Sequence, residues 1–100
     1  MLVHIVMWRF KEFAEGASKE ENAHKMKTLL EGLAGVVPQL KYARVGIDFK
    51  HTPMSYDAVL ISHFENEADL AAYKIHPAHV AVSDFCKKIR ESRVVCDYFI

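Results

Sequence analysis

The chain has 100 residues, 51% of them apolar or aromatic, and its 13 basic and 13 acidic side chains leave no formal net charge. That balance, without a basic run, excludes the electrostatic footprint of a nucleic-acid binder and of a polybasic membrane patch. No apolar stretch is long enough to cross a bilayer as a helix. The expectation is therefore a single domain, residues 1–100, in the cytoplasm. Its two cysteines, Cys86 and Cys96, fall in no metal-type or CxxC spacing and are expected to be reduced.

Residues 2–10, LVHIVMWRF, are β-branched and aromatic, which predicts a strand. His4, Val6, Trp8 and Phe10 share one face, and Val3, Ile5 and Met7 share the other. Ser18 and Glu21 form a capping box that opens a helix with the stripe Ala23, Met26, Leu29, Leu30 and Leu33. Gly35 and Pro38 end it. A second strand is expected over 40–49, a loop over KHTPMS and a third strand over 56–64, YDAVLISHF. Asn66 caps a helix that runs to about Ile75. Pro77 suits the first position of the next helix, whose apolar stripe is Ala78, Val82, Phe85 and Ile89. Residues 93–100 make the last strand.

The order βαββαβ predicts an α+β, ferredoxin-like split-βαβ fold with a four-stranded antiparallel sheet. Two helices can cover only one face of such a sheet. Strands one and three are apolar on both faces, and leaving Ile5, Met7, Val59 and Ile61 in water would forgo about 1.5–3 kcal/mol per side chain. A homodimer packed through the sheet faces resolves this.

The stretch YKIHPAHVAV, positions 73–82, carries the candidate chemistry. Tyr73 follows Leu70 by three residues and shares its inward face. His79 lies at the border of its helix's apolar stripe, beside Ser83 and Cys86. Both are read as border rather than central core residues. A phenol and a neutral imidazole at one crevice can donate to an oxyanion and take a proton. Tyr73 and His79 are the candidate acid–base pair. His4, Val6, Trp8, Leu60 and Val82 are expected to line the same space, which would suit a small apolar ligand. The bland readings stand beside this one: His76-Pro77 as a helix break, Tyr73 as core, His79 and His4 as structural. His24 and His51 are read as solvated, and His63 as lying near a dimer seam. A metal site drawn from His76, His79 and Asp84 is weak because of the proline, so no metal is assigned. The sequence has no Gly-rich phosphate loop and no nucleophile elbow.

The segments HIVMWRFKE, YDAVLISHFEN, YKIHPAHVAV and VVCDYFI together resemble the stress-responsive dimeric A/B barrel (Dabb) domains, along essentially the whole chain. The resemblance implies a ferredoxin-like domain that dimerises sheet to sheet into a barrel. It also implies a loose functional range, from stress proteins of unassigned role to a plant polyketide cyclase that closes a ring by aldol chemistry without a cofactor. In that enzyme the tyrosine before the H-P-x-H run and its second histidine carry the acid–base work. Those positions match Tyr73 and His79, and a first-strand histidine matches His4. Ser62, Arg90 and Arg93 stand where cyclase-like pockets are more apolar. Two functions thus remain open: a dimeric binding protein with a ligand-capable crevice, or a cofactor-independent acid–base enzyme acting on a small carbonyl or phenolic compound.

Overall fold

The computed structural model describes residues 1–100. Strand β1 (Leu2–Phe10) is followed by a short hairpin, β2 (Phe13–Ala14) and β3 (Ala17–Ser18). Helix α1 (Lys19–Gly32) then runs into a 3-10 turn at Leu33–Gly35. Strands β4 (Tyr42–Ile47) and β5 (Ala58–Phe64) precede helices α2 (Glu67–Ile75) and α3 (Pro77–Ile89), and β6 (Arg90–Phe99) closes the chain. The sheet order is β4-β5-β1-β6, antiparallel throughout. Each βαβ half thus leaves room for a strand of the other, which is the ferredoxin-like arrangement expected from the element order.

Local chemistry sets the boundaries. Ser18 and Glu21 form the predicted capping box, each side chain bonded to the other's backbone N–H. Asn66 caps α2 by accepting from the Asp69 N–H. The hairpin β2–β3 was not expected. Its turn residues Glu15 and Gly16 both have positive φ, at 51° and 75°, as a two-residue primed turn requires. The buried Asn22 amide donates to the Ala14 carbonyl and ties the hairpin to α1. The predicted second and third strands are too long at their outer ends: β4 spans six residues and β5 begins at Ala58. The last strand begins at Arg90, not Arg93. Arg90 already has extended backbone, with φ −86° and ψ 146°, so α3 passes into β6 without a loop.

The core lies between the helices and one sheet face. Val6, Trp8, Phe10, Leu60, Phe64, Met26, Leu30, Tyr73 and Ile89 are among its buried members. The opposite face carries Val3, Ile5 and Met7, which pair with His63, Ile61 and Val59 on β5 and with Tyr98, Cys96 and Val94 on β6. No helix covers it, and Met7 and Ile61 are each 37% exposed. His63 stacks on Tyr42 there, 4.8 Å between ring centroids. His24 and His51 are exposed.

Candidate functional site

The proline in YKIHPAHV decides the local geometry. Pro77 has no N–H, so α2 cannot continue and its last carbonyls lose their intrahelical donors. His76 is extended, with φ −63° and ψ 133°. Its Nδ1 accepts the Ala78 N–H at 3.1 Å and caps α3. His76 is thus spent on the break, and no three His, Cys, Asp or Glu residues converge on a point that could hold a metal ion.

One of the freed carbonyls, that of Lys74, lies 3.1 Å from Nδ1 of His79. A carbonyl only accepts, so the neutral ring carries its proton on Nδ1 and leaves the lone pair on Nε2. Burial lowers the His79 pKa from its usual 6.5, against the pull of the Lys74 carbonyl, which favours the charged ring. The result is a neutral imidazole at pH 7 with a fixed tautomer. The break therefore does more than turn the chain: it supplies the acceptor that orients His79.

Tyr73 stands beside it, with ring centroids 4.3 Å apart, and its other side packs on Phe64 at 5.0 Å. It was expected at the border but is 1% exposed, because α3 folds back over it after the break. His79 is the true border residue. Burial pushes the Tyr73 phenol up to about 12. It is therefore protonated throughout the physiological range, a donor and not a base.

His4 lies on the sheet side, 3% exposed, with Nδ1 2.5 Å from a carboxylate oxygen of Asp97 on β6. Burial lowers its pKa, and the Asp97 contact opposes that shift. The buried Ser62 hydroxyl donates to the His4 carbonyl at 3.0 Å and fixes this part of β1 against β5. Asp97 was missed in the sequence. The signal that could find it is the β1–β6 register, which sets His4 opposite Asp97.

Tyr73 and His79 line one crevice with His4, Val6, Trp8, Leu60 and Val82, so all seven residues singled out in the sequence share its wall. Its inner end is closed by Met26 and Leu30 of α1, and Cys86 of α3 adds a thiol that burial pushes up to about 11 and so keeps protonated. The enclosed space is narrow, about 50 Å³. It opens outward into a wider, solvent-facing vestibule of about 310 Å³, walled by Lys74, Lys87, Arg90 and Arg93 together with His4, His79 and Ser83. Trp8 also faces the crevice wall, and its buried Nε1–H has no partner in the protein.

Residues 2–100 match the family described as the Stress Responsive A/B Barrel Domain. The chain belongs to this family. A curated relative is olivetolic acid cyclase of Cannabis sativa, 30% identical over 97 residues that cover 95% of this chain and 92% of that protein. Among solved structures, a dimeric protein of unknown function with a ferredoxin-like fold from Bacteroides fragilis superposes with a TM-score of 0.82. It is 26% identical, over 99% of this chain and 95% of the other. Hydroxynitrile lyase from Passiflora edulis superposes with a TM-score of 0.81 at 20% identity, over 99% and 92% of the two chains, and shares the fold. The proteins this chain resembles thus include a cyclase, a dimeric protein of unknown function and, at the level of the fold, a lyase.

Proposed function

We propose that the protein is a homodimer, joined through the uncovered face of its sheet, that binds a small carbonyl or phenolic compound in the crevice between sheet and helices. The observation that carries the ligand reading is the pairing of free groups at one cavity. The Tyr73 hydroxyl makes no hydrogen bond to the protein, and the His79 Nε2 has its lone pair free, because Nδ1 takes the Lys74 carbonyl. A donor and an acceptor left open side by side at the wall of one crevice favour a ligand that satisfies both. The dimer reading is supported by the apolar row Ile5, Met7, Val59 and Ile61 on a face that no helix covers, and by the dimeric state of the Bacteroides fragilis neighbour.

The neutral His79 favours a second reading, acid–base turnover of the bound compound. Nε2 would take a proton next to a carbonyl while Tyr73 donates to the oxygen on which charge develops. A screen of small ketones, aldehydes and phenols by NMR, following the imidazole signals, tests binding. Exchange of α-protons for deuterium in the bound carbonyl compounds tests turnover. Ligands that shift the His79 signals in the wild type and not in Tyr73→Phe are the expected result. Binding with no exchange above the solvent rate would leave the binding reading and remove the enzymatic one. A screen in which no compound perturbs His79 would remove both.

A further inference from the structure

The vestibule carries a feature that the acid–base pair does not explain. Lys74 of α2, Lys87 of α3, and Arg90 and Arg93 of β6 converge on one opening, which has neither an apolar nor an acidic wall residue. None of these four cations takes part in an ion pair of the protein. The nearby carboxylate, Asp97, is bonded to His4. In a chain with no net charge, four unpaired cations drawn from three elements to one opening are a local excess, held against their mutual repulsion. The vestibule and the inner crevice are continuous: His4, His79, Ser83, Arg90 and Arg93 border both.

The inner end adds two constraints. The buried Trp8 Nε1–H is a donor without a protein partner, and the protonated Tyr73 hydroxyl beside it makes no hydrogen bond to the protein, so acceptor oxygen suits the inner part of a ligand. The enclosed space of about 50 Å³ is roughly a third of a cavity of about 150 Å³ that accepts benzene. An aromatic ring does not fit there, whereas a carbonyl with one or two carbons does. Arginine at the mouth matches the planar, two-oxygen geometry of a carboxylate.

We propose that the ligand is a short oxo acid, with its carbonyl at Tyr73 and His79 and its carboxylate in the cationic vestibule. This rests on the carbonyl-binding reading above and narrows it from any small carbonyl or phenolic compound to a short, non-aromatic, anionic carbonyl compound.

Calorimetry and NMR titration with 2-oxobutanoate, 3-oxobutanoate and 4-oxopentanoate, beside their methyl esters, test it. At least one acid binds about tenfold or more tightly than its ester, the range expected of a charge-assisted hydrogen bond. Arg93→Gln weakens the acid far more than the ester and so abolishes that preference; Arg90→Gln lowers it in the same sense, and a preference kept in both folded variants overturns the proposal. Tyr73→Phe weakens acid and ester together. Raising sodium chloride from about 20 to about 200 mM weakens the acid and not the ester, because the longer-range part of the attraction is screened. An ester that binds as well as its acid overturns the oxo-acid proposal and leaves the carbonyl-binding reading standing. Acids that bind Tyr73→Phe undiminished, and that inorganic phosphate displaces equally well, occupy only the vestibule and also overturn it. Binding of neither acid nor ester overturns both.

Discussion

Strands β5 and β6 flank β1 on either side, and both carry apolar residues on the inward face, yet the surroundings of those residues differ sharply. Leu2 lies opposite Phe64 on one side and Phe99 on the other, and Val6 lies opposite Leu60 and Val95. Phe64 and Leu60 are 0% and 2% exposed; Phe99 and Val95 are 64% and 44% exposed. The cause is the reach of the helical layer. The helices pack on β4, β5 and β1, and β6 contacts chiefly β1. Alternation therefore reports which face a residue is on, and tertiary coverage decides whether that face is buried. The candidate site sits where coverage ends. The covered side supplies Tyr73, His79 and the apolar wall, and the open strand supplies Arg93 and Asp97.

The largest test of this contrast is a matched pair of truncations. Phe64→Ala removes a fully buried ring and should cost about 3–5 kcal/mol in urea unfolding, whereas Phe99→Ala should cost under about 1 kcal/mol. Equal costs would mean that the inward face of β6 is covered in solution. The next effect concerns the other sheet face. Met7→Lys places a charge in the proposed interface and should convert the dimer to a monomer in sedimentation at micromolar concentration. Val95→Lys, on the inward face, should leave the dimer intact. The opposite pattern would move the interface to the inward side of β6.

Much of this was readable in the chain. The capping box at Ser18, the Asn66 cap and the proline at the start of α3 each have a local chemical signature, and each stands where it was read. The split-βαβ order follows from them. The seven candidate residues share one crevice because strand alternation and helical spacing assign faces correctly. Long-range register was not readable. It alone brings Asp97 to His4 and the arginines of β6 to the mouth, and it depends on the strand starting at Arg90. Tyr73 was placed at a border because the fold-back of α3 is a tertiary event with no signature in α2. The hairpin at Glu15-Gly16 was missed because two-residue strands are too short to show alternation.

A smaller effect is expected at the break itself. His76→Ala removes the cap on the Ala78 N–H and should cost about 1 kcal/mol. Pro77→Ala should cost only a few tenths, since the first helical position sacrifices no hydrogen bond. Its consequence should be electronic. If α2 continues, the Ala78 N–H can claim the Lys74 carbonyl and release His79 Nδ1. The 15N shifts of His79 should then move from a single tautomer toward a mixture. Unchanged shifts would show that the carbonyl does not depend on the proline.

The smallest expected effect is a pH dependence of stability, and it separates the two sides of the site once more. His79 on the covered side and His4 beside the open strand both have pKa values lowered from 6.5, with burial as the leading cause. The unfolded chain therefore takes up these protons at a higher pH than the folded one. Stability is constant above about pH 6.5, falls as the pH drops below it, and levels off once the folded-state values are passed. His79→Gln removes one of the two groups, so its loss of urea midpoint between pH 7.5 and 5.5 should be shallower than that of the wild type. Asp97→Asn should act in the opposite sense. The carboxylate opposes the burial of His4, and without it the imidazole resists protonation more strongly, which steepens the loss. If Asp97→Asn proved no steeper than the wild type, the ion pair to His4 would contribute nothing in solution, and the open strand would serve the site through its arginines alone.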